Sequence, residues 1–393
     1  MKVLFLGAGN VGSNAAKQLS KSRPEVQIRI GDLYLESARR AAEAAGSGAE
    51  AVQVDVHDKD SLAAALRGVD IVLNTAGPFY RNADAIMEGA IAAGVHYIDI
   101  NDDDDVAVRV LADEDLNSRA AEAGIRIVIG CGTTPGVSNV IARHSLDRLD
   151  VPSRVFVTML LSFQAVRYYS PAVVDHMFHI STGDVTRYEG GNFTSVPGFG
   201  DEREVRGLAP YGTYLSYNAG HGETAMLGHS FPMLDEVSVR LAWVEQGASD
   251  RWRALIAAGL SSGEALEAGG VSPVKFLGAL VGSDRQLPFF DDFGDEPMRN
   301  GCLVEVEGTR GGRRTTIKTL MNFVGSEDGQ DPTSTAARIG VEALIDDRVT
   351  GTGVLTPEVC FEPADFLDHF VASPEVTLDQ ETFVVGSFPD PVA

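Results

Sequence analysis

The sequence predicts an α/β protein: a doubly wound parallel sheet at the amino end, then a second α+β domain built on a mixed or antiparallel sheet. Three observations predict it. Short apolar runs alternate with Ala-rich helical stretches from Lys2 to Ile129, the rhythm changes after Gly132-Thr133-Thr134-Pro135-Gly136, and the later runs alternate polar and apolar residues.

In order, strands are expected at Lys2 to Leu6, Val26 to Ile30, Ala51 to Val54, Asp70 to Asn74, His96 to Ile98 and Ile125 to Ile129. Helices are expected at Ser13 to Leu19, Glu36 to Ala45, Ser61 to Leu66, Ala83 to Ala93 and Val106 to Ala123, where helix formers recur at 3.6-type spacing. The strands are apolar on both faces, as helices on both sides of a sheet require. Beyond the change, a helix from Ser138 to Leu149 leads into β-type runs at Arg154 to Ser162, Glu236 to Val244, Cys302 to Gly308 and Arg313 to Val324. Val304-Glu305-Val306-Glu307 alternates as a strand with one exposed face does. Residues 180–222 and 282–300 read as loops over a site or as connectors, and Asp331-Pro332-Thr333 opens a helix running to Ile345. The domains expected are 1–132, 133–330, and a C-terminal segment 331–393.

The length of 393 residues accommodates two ordinary cores, and 44% hydrophobic with 22% charged residues is a globular composition. A net charge of -24 repels nucleic-acid phosphates and anionic headgroups, so neither nucleic acid nor a membrane surface is an expected partner. Cys131, Cys302 and Cys360 are odd in number and far apart, which fits a reducing cytoplasm and neither a disulfide framework nor a zinc knuckle. The apolar start Met1 to Leu6 is far shorter than a signal peptide.

Gly7-Ala8-Gly9-Asn10-Val11-Gly12 matches G-x-G-x-x-G directly after the first strand and at the start of a helix. Gly7 permits the tight turn, Gly9 lets a pyrophosphate approach the backbone, and Gly12 lets helix pack on strand, while the amides of Asn10 and Val11 face the phosphates. Asp32, at the end of the second strand, is placed to accept hydrogen bonds from a ribose and to repel a 2′-phosphate. The expected cofactor is NAD in preference to NADP, on a Rossmann domain; Arg39 and Arg40 on the next helix act in the opposite sense. Asp55 and Val56 after the third strand would line the adenine side. Asn74, Ala76, Gly77 and Pro78 after the fourth would line the nicotinamide side, and each of these strand-end residues reads equally as a turn residue.

The runs Asn74-Thr75-Ala76-Gly77-Pro78-Phe79-Tyr80 and Ala90 to Asp99 with Asn101-Asp102-Asp103 carry a further signal, as do Gly132 to Asn139 and Gly353-Val354-Leu355-Thr356-Pro357-Glu358. In them the chain resembles the saccharopine dehydrogenase-like oxidoreductases. The resemblance implies hydride exchange between a nicotinamide and an amine or imine, a second domain for substrate and dimerisation, a last segment that returns to the Rossmann domain, and a homodimer. Phe79 and Asn117 stand where the saccharopine reductases look to carry a tyrosine and an acid. The expected substrate is a small amine or amino acid. Reduction of an enoyl or keto bond on the same fold, and non-catalytic NAD sensing, are the alternatives.

Such chemistry needs a substrate anchor and a group that handles one proton. Tyr80 is a proton donor or substrate contact, or else a packed aromatic. Asp102 and Asp103 grip an ammonium group, or share with Asp104 and Asp105 the task of complementing a helix dipole. Four like charges this close predict at least one raised carboxylate pKa. His221 and Glu223 resemble the family's His-x-Glu element, with the imidazole as proton carrier and a surface histidine as the alternative. Arg167 is a carboxylate clamp or a surface arginine. No metal is expected, since His176 and His179 lack an evident third ligand. Gly259 to Gly263 matches G-x-S-x-G but follows a helix, which excludes a nucleophile elbow.

Overall fold

The computed structural model describes residues 1–46, 48–267, 269–283, 285–293, 298–323, 331–373 and 376–384. In chain order the elements are β1 (Lys2–Leu6), α1 (Asn10–Ser22), β2 (Gln27–Asp32), α2 (Leu35–Ala45), β3 (Glu50–Gln53), α3 (Lys59–Leu66), β4 (Ile71–Asn74), α4 (Phe79–Ala93), β5 (His96–Asp99), α5 (Asp104–Ala112), α6 (Glu114–Glu122), β6 (Arg126–Val128) and α7 (Val137–Leu146). There follow β7 (Val151–Leu161), α8 (Pro171–His179), β8 (Asp184–Glu189), β9 (Asn192–Pro197), β10 (Arg203–Arg206), β11 (Thr213–Asn218), α9 (Gly222–Ser230), β12 (Glu236–Trp243), α10 (Ala248–Ala257), α11 (Pro273–Val281), α12 (Pro288–Asp291), β13 (Asn300–Arg310) and β14 (Arg313–Phe323). The chain closes with α13 (Pro332–Ile345), β15 (Gly353–Leu355), α14 (Pro357–Cys360), α15 (Pro363–Val371) and β16 (Val376–Val384). They form two compact units.

The first unit comprises Met1–Arg148, Ala225–Pro232 and Val324–Thr377. Its sheet, among the described residues, has the order β15-β6-β5-β4-β1-β2-β3. Every pairing is parallel. The order reverses at β1, so the carboxyl ends of β1 and β4 border a topological switch point, where open α/β sheets bind ligands. The core beneath is apolar: Leu4, Leu6, Val72 and Ile127 from the sheet, with Ile129 just after β6, meet Phe79, Ile86 and Met87 of α4. Asn139 and Ser230 donate to the buried Glu358 carboxylate at 2.9 and 2.7 Å, joining the three stretches of this unit. Burial pushes the Glu358 carboxyl up from its ordinary range.

One predicted helix is two. Val106 to Ala123 breaks because Asp113 leaves helical geometry and caps α6, accepting from the Leu116 amide at 2.9 Å. Asn117, the departure noted above, accepts from the Val354 amide at 2.9 Å, so it anchors β15 at its amino end and not at the ligand-binding end of the sheet.

The second unit comprises Leu149–Thr224, Met233–Phe323 and Leu378–Ala393. Its strands follow the path β10-β11-β12-β7-β13-β14-β16, with β8 pairing β12 and β9. β12 runs parallel to β7, whereas β13 is antiparallel to β7 and β14, so the sheet is mixed. Residues 180–222, expected as loops, hold the four strands β8 to β11. β9 exposes nearly every side chain and so lacks the apolar face by which strands are read, but Gly190-Gly191 at φ 57° and 82° is a two-residue hairpin turn signal. Glu305 was expected on an exposed face; it is buried and paired with Lys318 at 2.7 Å. Of the other expectations, Val324, residue 284, residues 294–297 and residues 385–393 lie outside the described residues. No helix among the described residues is long and apolar enough to cross a membrane.

Candidate functional site

The three glycines of the β1–α1 loop answer three different demands. Gly7 has φ +99°, and a Cβ there would lie 2.8 Å from the Thr75 carbonyl. A Cβ on Gly12 would meet the Gly7 carbonyl oxygen at 2.1 Å and Thr75 Oγ1 at 2.5 Å. Gly9 is the opposite case: nothing lies within 4 Å of its Cβ position. Gly9 is also the N-cap of α1, no side chain caps the helix, and no acid stands in its first turn. The amides of the first turn, Asn10 and Val11 among them, have no acceptor within the helix and present a partial positive charge. Closed at Gly7 and Gly12 and open at Gly9, the loop is a cradle for a diphosphate.

Asp32 ends β2 beside this loop and accepts from the Ala8 amide at 2.8 Å and the Tyr34 amide at 2.9 Å. The carboxylate braces the loop and, with about four acceptor positions, keeps capacity for a diol. It does not cap α2, whose N-cap is Tyr34. Asp55 is a turn residue in part: it accepts from the His57 amide at 3.0 Å, and its own amide donates to Ser61 Oγ. Val56 is half-buried against the apolar core.

Asn74 is fully committed inside the protein. Its Nδ2 donates to Tyr97 Oη at 3.0 Å and its Oδ1 accepts from the Ala76 amide at 2.9 Å, fixing the loop through Ala76, Gly77 and Pro78. Asn82 ties the same loop from α4, donating to the carbonyls of Ala76 and Gly77, and reaches His57 at 3.1 Å. Tyr97 in turn donates to Asp99 at 2.7 Å, and Asp99 also accepts from the amides of Gly130 (2.7 Å) and Asn101 (3.0 Å). Asp99 is buried, and burial pushes its carboxyl up to about 6 against the pull of these donors, with the charge of Asp102 adding to the rise. Sequence reasoning missed this network, although Asn74 and Asp99 end adjacent strands in register.

A raised carboxylate was expected among Asp102 to Asp105, from like charge; burial raises Asp99. Asp104 and Asp105 form the first turn of α5, where they complement its dipole. Asp103 is buried at the N-cap position without capping by its side chain, and Asp102 is half-buried. Tyr80 is 46% exposed with the Arg81 guanidinium 5.4 Å from its ring, so it is not a packed aromatic.

In the second unit His221 and Glu223 sit at the start of α9, both buried, with Nδ1 and Oε2 2.6 Å apart. The surface-histidine alternative fails. A carboxylate on Nδ1 fixes the proton there and leaves Nε2 as the basic nitrogen. The His176 ring lies edge-on to His221 at 6.0 Å. Arg167 clamps no ligand: its guanidinium donates to the carbonyls of Val281, Ser283 and Arg285 and pairs with Asp291.

Residues 3–150 match the family described as the saccharopine dehydrogenase NADP-binding domain. Over 99% of both chains the sequence is 22% identical to the carboxyaminopropylagmatine dehydrogenase of Synechocystis sp.. Among solved structures, saccharopine dehydrogenase (L-Glu forming) from Saccharomyces cerevisiae superposes with a TM-score of 0.69 at 14% identity, covering 97% of this chain and 99% of that one. The homospermidine synthase of Legionella pneumophila, solved with NAD, gives 0.63 at 11% identity, covering 100% and 95%. With the cradle and the parallel sheet, these likenesses bear out the resemblance read from the sequence: residues 3–150 match the saccharopine dehydrogenase NADP-binding domain, and the chain as a whole has the saccharopine dehydrogenase fold.

Proposed function

We propose that the protein interconverts a secondary amine or amino acid with the corresponding imine, using NAD in preference to NADP. The observation that carries the cofactor assignment is the open position at Gly9 beside the Asp32 carboxylate. A 2′-phosphate would meet that carboxylate, while Arg39 is paired with Glu36 at 2.6 Å and Arg40 bonds Ser37 at 3.1 Å. The substrate class is supported by the relatives: saccharopine, carboxyaminopropylagmatine and homospermidine, for which they are named, are all secondary amines.

In this reading Gly7, Gly9 and Gly12 with the amides of Asn10 and Val11 hold the pyrophosphate, and Asp32 holds the ribose. Asp55 and Val56 border the adenine. Ala76, Gly77 and Pro78, in the loop that Asn74 fixes from inside, border the nicotinamide, which when bound supplies the hydride exchange. Asp102 and Asp103 attract the substrate's ammonium group and Tyr80 contacts the substrate. In the second unit His221 and Glu223 form a buried pair suited to carry one proton, the imidazole through Nε2 and the carboxylate by stabilising the imidazolium. A cytoplasmic homodimer in amino-acid metabolism fits the free, buried Cys131, Cys302 and Cys360 and the acidic charge.

The test is spectrophotometric, with a panel of secondary amines and amino acids offered with NAD at alkaline pH and, in reverse, carbonyl and amine pairs offered with NADH. Amine-dependent formation of NADH is expected. Turnover of enoyl or keto compounds without any amine would overturn the substrate class.

A further inference from the structure

The first unit holds a second feature suited to an anion, away from the cradle. A cavity of about 390 Å³ is lined by Lys17, Gln18, Lys21, Arg338 and His369, with small residues completing the wall and no acid among them. The chain has 56 acidic residues against 32 basic ones, so an acid-free wall with four basic side chains is not what its composition supplies by default. Only six positions in the sequence are lysine, and two of them stand here one turn apart on α1.

Among the described residues neither Lys17 nor Lys21 has an ion-pair partner. Arg338 is held by Glu342, and His369 contacts Asp365, so the unbalanced positive charge is that of the two lysines. Gln18 Oε1 accepts from Arg338 Nε at 3.3 Å and from Thr335 Oγ1 at 3.2 Å. Because Arg338 can only donate, the amide orientation is fixed. Its Nε2, shielded from solvent, is left without an acceptor. The wall thus offers two ammonium groups, Lys17 and Lys21.

A dinucleotide seated on the cradle would not account for it. From Gly9 to Lys21 is twelve residues along α1, roughly 18 Å at 1.5 Å per residue, too far for one pyrophosphate to reach both. The 2′ position of the ribose belongs with Asp32, at the other end of β2 and its loop.

We infer that this cavity is a binding site for a small multiply charged oxyanion, a polycarboxylate or a phosphate ester, separate from the cofactor cradle. The inference rests on the cofactor reading only for the word separate. The test is calorimetric titration of citrate, and independently of inorganic pyrophosphate, into the full chain saturated with NADH, at constant ionic strength set by NaCl. One anion per chain is expected to bind, and Lys17→Gln with Lys21→Gln is expected to weaken it at least about tenfold while the melting temperature and NADH affinity stay unchanged. Absence of binding beyond the NaCl control, or binding indifferent to the double substitution, overturns the proposal. So does citrate that competes with NADH, since the anion would then occupy the cradle. If the double substitution instead changes the sedimentation coefficient and no anion binds, the lysines serve a contact between chains and the proposal also fails. Should NADH itself not bind, the same titration in its absence still decides the anion site, and only the cofactor reading is lost.

Discussion

Two regions at the carboxyl end of the same sheet do their work by opposite means. The β1–α1 loop is made of backbone: three glycines within six residues shape a concavity, and side chains are excluded from two of them by contacts under 3 Å. The network from Asn74 through Tyr97 to Asp99 joins buried side chains of two adjacent strands and the Gly130 amide, and it turns on the protonation state of one buried carboxyl. The first is a steric device indifferent to pH; the second is an electrostatic device that pH can change.

The largest expected effect breaks the steric device. Gly12→Ala places a Cβ 2.1 Å from the Gly7 carbonyl oxygen, so the loop must open or the helix shift. Overpacking of this kind costs about 1–3 kcal/mol, and NADH affinity should fall at least about a hundredfold, by denaturant unfolding and calorimetry respectively.

The next test addresses the electrostatic device. Asp99 titrates near 6 in the folded chain against an ordinary 3.8, so the folded state holds the proton more tightly. Its contribution to stability is complete below the unfolded value and is lost as pH rises through 6, a swing of up to about 3 kcal/mol. Asp99→Asn should therefore flatten the fall in unfolding free energy between pH 4 and 7, while Gly12→Ala should keep it. Tyr97→Phe should cost about 1–2 kcal/mol, because the Asn74 amide then loses its acceptor. A smaller effect separates the cofactors: Asp32→Ala should weaken NADH by about tenfold, roughly 1.4 kcal/mol, while NADPH gains relative to it. Equal losses for both would place the carboxylate in loop bracing alone.

The same contrast explains what could be read from the sequence. The cradle was legible because its parts are contiguous: strand, glycines, helix and Asp32 lie within the first thirty-two residues. Strands β1 to β6 of the parallel sheet were likewise visible as apolar runs. The Asp99 network was not legible as such, since burial, which raises its pKa, follows from three-dimensional packing, and the motif around it drew notice to the more numerous charges of Asp102 to Asp105. In the second unit, β8 to β11 were missed because β9 is exposed almost throughout and the few buried positions of β8, β10 and β11 do not alternate as a regular apolar stripe. His221 could be singled out by its resemblance, but not its burial or the 2.6 Å contact to Glu223.

The central claim is that the empty Cβ position of Gly9 is where a diphosphate rests. Calorimetric titration of NADH into the wild-type chain and into Gly9→Ala tests it directly, because that substitution touches nothing within 4 Å in the folded protein. The account predicts one NADH per chain for the wild type, at least about tenfold weaker binding for Gly9→Ala, and an unchanged melting temperature. Equal affinity in the two proteins, or no binding by the wild type, would contradict it.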